Sequence, residues 1–62
     1  MPFIEVKAFA SRFEDQETSE LLIEKLTEAM VEVYGEAVRD ETWVTLDGIS
    51  PEHWGFGGKV RT

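Results

Sequence analysis

The chain has no cysteine, a single histidine and two prolines, and only 6 lysines and arginines stand against 13 aspartates and glutamates. Without cysteine there is no disulfide framework to stiffen a small fold. His53 has no partner at metal-ligand spacing, which argues against a structural or catalytic metal. No apolar run approaches the roughly 20 residues that a membrane span needs. The opening residues lack the basic start and long apolar core of a signal peptide. The formal charge of −7 leaves no basic face for nucleic acid and disfavours an anionic membrane surface. The expectation is a soluble, cytoplasmic protein with neither nucleic acid nor membrane as partner.

What is present is apolar surface in excess of what the chain can enclose. Hydrophobic residues make up 42% of the 62, with four phenylalanines and two tryptophans among them. A chain of this length is read as one domain, residues 1–62, and a monomer of that size buries only about 60% of the surface its unfolded chain exposes. With disulfides and metals excluded, self-association is the remaining device, and an oligomer is predicted.

The order of elements reads as α+β. Phe3 to Phe9 alternates, with Phe3, Glu5, Lys7 and Phe9 on one face and Ile4, Val6 and Ala8 on the other, the pattern of a strand. A polar connection carrying Ser11 and Arg12 follows. From about Gln16 the period lengthens: Leu22, Leu26, Ala29, Met30 and Val33 make one stripe of an amphipathic helix. Asp15 and Thr18 are both candidate caps, acidic residues at the entry complement the helix dipole, and Gly35 stands where a C-terminal glycine belongs. Glu36 to Glu41 is a short connection with room for a turn of helix. Thr42 to Leu46 has the β-branched and aromatic content of a second strand. Asp47-Gly48 and Ser50-Pro51 read as turns, and Trp54-Gly55-Phe56-Gly57-Gly58-Lys59 as a tight hairpin. A strand, a helix and a strand in that order form a β-α-β unit with parallel strands and a right-handed crossover, whose sheet needs partner subunits to cover it.

Chemistry can begin at the second residue. A small residue in that place permits removal of Met1, and Pro2 would then present a secondary amine, a group that no internal proline can offer. An apolar pocket and a nearby guanidinium would each disfavour its protonated form and bring it towards the pKa that a general base needs. Trp54 and Phe56 are candidates for the first effect and Arg12 for the second. An arginine also matches a carboxylate with its planar fork.

Pro2 opening a strand, Arg12 ten positions later, the helix segment Leu22 to Ala29 and the closing His53-Trp54-Gly55-Phe56-Gly57-Gly58 together resemble the 4-oxalocrotonate tautomerase family, across essentially the whole chain. The last motif, against the family's His-Phe-Gly-Ile-Gly-Gly, is the most specific. The resemblance implies a β-α-β protomer of the tautomerase fold with a C-terminal hairpin, dimers whose sheets join, and a hexamer built as a trimer of dimers. It implies a cofactor-free isomerase of aromatic-degradation type. Pro2 would move a proton between oxygen and carbon of a 2-hydroxydienoate or enol, Arg12 would hold the substrate carboxylate, and Trp54 would stand where the family has a phenylalanine wall.

The chain departs from that pattern in two places. The family's second arginine, near the start of the second strand, corresponds to Trp43, and an indole offers one donor and no charge. Arg39, four residues earlier, is a tentative replacement carboxylate binder, with a solvated loop charge as its alternative reading. Two residues are also inserted around Phe13 to Thr18. Trp43 is read as structural and His53 as a turn residue. Two alternatives stay open: a non-catalytic or half-site subunit of a hetero-oligomer, and a related hydratase or dehalogenase activity.

Overall fold

The computed structural model describes residues 1–60. Alternation produces the first strand, β1 (Phe3–Phe9), in which Ile4, Val6 and Ala8 are half-buried while Phe3, Glu5, Lys7 and Phe9 point outward. A 3-10 turn (Ala10–Phe13) leads to helix α1 (Gln16–Tyr34). Asp15 caps that helix: its carboxylate accepts from the Glu17 N–H at 3.2 Å and from the Thr18 hydroxyl at 2.9 Å. Both candidate caps thus take part, Asp15 as the acceptor and Thr18 as a donor to it. At the other end the Gly35 N–H reaches the Val31 carbonyl at 2.7 Å, with Gly35 at φ 98°, where a Cβ would be strained.

The covered face of α1 is rotated from the predicted stripe. Leu22, Leu26 and Met30 lie on it as expected, but they are joined by Ser19, Ile23, Thr27 and Val31, while Ala29 and Val33 are exposed. The shift follows from the 3.6-residue period, which sets Ile23, Thr27 and Val31 one turn apart beside the leucines. Ser19 is the one described residue that is buried, and its hydroxyl has no partner.

A second 3-10 stretch (Glu36–Glu41) turns the chain into β2 (Trp43–Ile49). β1 and β2 pair in parallel from Phe3 opposite Trp43 to Phe9 opposite Ile49. β2 is longer than the predicted Thr42–Leu46 and runs straight through Asp47-Gly48, which had the composition of a turn. Gly48 serves packing instead. A Cβ there would stand 3.0 Å from the Ala10 Cα and 3.3 Å from the Phe13 ring, so its absence lets the first 3-10 turn close onto the sheet. After a short 3-10 turn (Pro51–His53), β3 (Gly55–Phe56) and β4 (Lys59–Val60) form an antiparallel hairpin. Its two-residue loop has Gly57 at φ 62° and Gly58 at φ 85°, the signs that a type I′ turn requires. This fold is the one expected from the resemblance: a β-α-β unit with a C-terminal hairpin.

The helix covers one face of the β1–β2 sheet, and nothing among the described residues covers the other. No hydrophobic residue among those described is fully buried, and Phe3 and Trp43 are 62% and 58% exposed. The accessible surface of 4897 Å² exceeds the ~4,100 Å² of a compact monomer of this length. The radius of gyration of 14.4 Å likewise exceeds the ~10.5 Å expected of one. Down the middle of the bare face runs a polar strip in which the Lys7 ammonium bonds Asp47 at 3.1 Å and Glu5 at 3.4 Å. Asp47 first and Glu5 second hold that ammonium above its ordinary pKa. Aromatic residues lie at both ends of the strip, Phe3 and Trp43 at one and Phe9 at the other.

Candidate active site

Pro2 immediately precedes β1, and its carbonyl accepts the Trp43 N–H at 3.0 Å, which ties the terminus to β2. It lines an open groove of about 420 Å³ together with Met30, Tyr34, Ala37, Val38 and Glu41. Met30 and Tyr34 are one helical turn apart near the end of α1, and the other three come from the 3-10 stretch that follows. The walls are mainly apolar and Glu41 supplies the one carboxylate. Met1 is 78% exposed, within reach of an aminopeptidase. While it is attached the Pro2 nitrogen is an amide; once it is removed, that nitrogen is a secondary amine at the groove.

Arg12 lies in the 3-10 turn beyond the far end of β1. It is exposed and, among the described residues, its side chain makes no hydrogen bond or ion pair. Trp54 is at the same end. Its ring sits 4.7 Å from that of Phe9 and 6.4 Å from that of Phe56, and its indole N–H donates to the Ile49 carbonyl at 3.0 Å. At the strand rise, β1 separates this end from Pro2 by about 20 Å, more than an arginine side chain can span. Within one protomer, then, Arg12 and Trp54 lie at the same end of the sheet and Pro2 stands at the other.

Arg39 joins neither group. Its guanidinium bonds Glu28 at 2.6 Å and grips both carboxylate oxygens of Glu36. Glu36 first and Glu28 second hold it well above the ordinary arginine pKa. It does not line the groove; it fastens the 3-10 stretch to α1. Trp43 lies on the bare face opposite Phe3, at the Pro2 end of the sheet. His53 is a turn residue, with Nδ1 at 3.4 Å from the Ser50 hydroxyl. Among the described residues no group of three or more His, Cys, Asp or Glu side chains could hold a metal, and no helix is long and apolar enough to cross a membrane.

Sequence reasoning missed the groove residues Met30, Tyr34, Ala37, Val38 and Glu41 as companions of Pro2. The i, i+4 spacing of Met30 and Tyr34 was a usable signal for a shared helix face. Glu41 had none, because its place depends on how the 3-10 stretch returns to the sheet.

Comparison with known proteins agrees with this fold. The family model described as "Tautomerase enzyme" matches residues 2–62, beginning at the proline. Among solved structures the chain is similar to one from a kinetic and structural characterization of the 4-oxalocrotonate tautomerase isozymes of Methylibium petroleiphilum. The two share 35% identity over 92% of this chain and 87% of that one, with a TM-score of 0.74. No curated protein matches. A β-α-β protomer with a bare sheet face, a proline at the strand entry and a family match that starts on that proline lead to one assignment: the chain belongs to the tautomerase family.

Proposed function

We propose that this protein is a tautomerase in which Pro2, freed of Met1, moves a proton between oxygen and carbon of an enol acid such as a 2-hydroxydienoate. The neutral prolyl nitrogen takes the proton of the 2-hydroxyl group. The O–H electron pair becomes the carbonyl π bond, and the C=C π pair takes a proton from the prolyl ammonium at carbon. One proton leaves oxygen, one arrives at carbon, and the amine is regenerated. Nothing in this cycle calls for a metal or organic cofactor.

The observation that carries the reading is the position of Pro2 in a mainly apolar groove. Low polarity disfavours the ammonium and draws the amine towards a useful pKa. The carboxylate anchor is Arg12 of a second copy. Both strands keep an outer edge that is unpaired among the described residues, and two copies related by a two-fold axis would join antiparallel. That sets the Arg12 and Trp54 end of one chain against the Pro2 end of the other. Arg12 then fixes the carboxylate with its fork and favours the charge that develops on the adjacent oxygen, while Trp54 walls the site. Three such dimers form the assembly. Arg39 supports the site from outside, by holding the stretch that carries Ala37, Val38 and Glu41.

The test is turnover of an enol acid, followed by ultraviolet absorbance, in the methionine-free protein and in Pro2→Ala. Loss of at least ~100-fold in kcat is expected, with the assembly unchanged by sedimentation. Unchanged turnover removes Pro2 from the mechanism.

A second reading, a half-site subunit of a hetero-oligomer, is favoured by Trp43 standing in place of the family's second arginine. It is rejected if the purified chain alone is an active oligomer.

A further inference from the structure

The groove that Pro2 shares with its neighbours is chemically one-sided. Met30, Val38, Ala37 and the ring of Tyr34 are apolar, Glu41 is the one acidic side chain, and among the described residues no lysine or arginine lines it. The cation in the same 3-10 stretch, Arg39, is taken up by Glu28 and Glu36. Trp43, paired to Phe3 beside Pro2, brings an indole and no charge. A substrate whose carboxylate is anchored by Arg12 from the far side, and whose reacting carbons lie at Pro2, has this groove for the remainder of its length. A second carboxylate there would lose water and meet Glu41 with no counter-charge, an arrangement that like-charge repulsion opposes. A hydrocarbon or aryl tail would instead cover Met30 and Val38, and removing that surface from water favours binding.

We infer that the Pro2 groove selects enol monocarboxylates with an uncharged, apolar tail, and that Glu41 is the specificity-determining residue that turns dicarboxylates away. The inference rests on the reading of Pro2 and Arg12 as the two ends of one substrate site. It sets this chain apart from a site with a second arginine, which would welcome the charge that Glu41 rejects.

Binding measures this without turnover. The methionine-free protein is titrated in a calorimeter with 2-oxohexanoate and with 2-oxohexanedioate, which have the same chain length and differ in the second carboxylate. The monocarboxylate is expected to bind about tenfold more tightly or better. Glu41→Gln should shrink that ratio by improving the diacid alone. Ala37→Lys, at an exposed lining position, should move the preference towards the diacid and gives an independent reading if Glu41→Gln folds poorly.

A diacid that binds the unaltered protein as tightly as the monoacid overturns the inference, and so does a ratio unmoved in both variants. Failure of both acids to bind at millimolar concentration overturns it as well. Selective binding in a protein that leaves enols untouched would sink the catalytic reading and leave the selectivity standing. Pro2-dependent turnover with the diacid preferred would sink the selectivity alone.

Discussion

The two ends of the β1–β2 sheet carry opposite halves of a chemistry. At one end Pro2 sits in a mainly apolar groove whose one acidic lining residue among those described is Glu41. The other end, which holds the Phe9–Trp54 ring pair, also carries Arg12, whose side chain has no partner among the described residues. One end has a potential base, and its cation, Arg39, is taken up by Glu28 and Glu36; the other has Arg12, whose guanidinium has no partner among the described residues. About 20 Å of strand keeps them apart, and neither half is a tautomerase site by itself. On the proposed reading, assembly is a catalytic requirement as well as a remedy for a missing core.

The strongest test of that contrast is complementation. Pro2→Ala and Arg12→Ala should each lose at least ~100-fold in turnover. Unfolded and refolded together, they should recover activity, because a mixed dimer holds one site in which both residues are intact. If the two residues acted within one protomer, no mixed dimer would contain an intact site, and the absence of recovery in a verified mixed assembly would refute the arrangement.

Next in size is the face that joins the ends. Phe3 and Trp43 stand exposed on it, and each aromatic covered on assembly contributes about 1.5–3 kcal/mol, once per copy. Trp43→Glu should sediment as a monomer and lose its cooperative urea transition, because the protomer has no fully buried hydrophobic residue to fall back on. A Trp43→Glu protein that still assembles and unfolds cooperatively would place the interface elsewhere.

A smaller change separates the ends. Gly48→Ala introduces a Cβ at 3.0 Å from the Ala10 Cα and should push away the turn that carries Arg12. Overpacking of this kind costs about 1–3 kcal/mol of stability. The kinetic expectation is a rise in KM for carboxylate substrates larger than the fall in kcat, since Pro2 is untouched. A fall in kcat alone would mean that Gly48 acts on the other end.

The smallest effect belongs to the clasp behind the Pro2 groove. The Arg39 hydrogen bond, and secondarily its charge, hold the Glu36 carboxyl below its ordinary pKa. A depressed folded-state value contributes stability above the ordinary glutamate range, and that contribution disappears as pH falls through the folded value. Both groups are exposed enough for solvent to weaken the pair. Arg39→Gln should therefore lower the unfolding temperature slightly at neutral pH and flatten its decline in acid. An equally steep acid decline in the variant would show that the pair is not its source.

Much of this was legible in the order of residues. Alternation from Phe3 to Phe9, the longer period after Gln16 and the paired glycines at 57 and 58 are local signals. They correspond to β1, α1 and the type I′ hairpin because strand alternation, helix period and positive φ are properties of short stretches. The same holds for Pro2 and Arg12, whose types and places on the first strand need no folding to be noticed. The misreadings share a different cause. Asp47-Gly48 looked like a turn and proved to be strand, because the first 3-10 turn comes to rest on it. Ala29 and Val33 looked like core and proved exposed, because the sheet chose the neighbouring stripe of the helix.

The chain alone therefore specified its elements, its excess of apolar surface and the reactive groups it could bring to bear. The separation of Pro2 from Arg12, the capture of Arg39 by Glu28 and Glu36, and the meeting of Glu41 with Pro2 came from folding. Each depends on where segments distant in sequence settle against one another, and local preference carries no information about that.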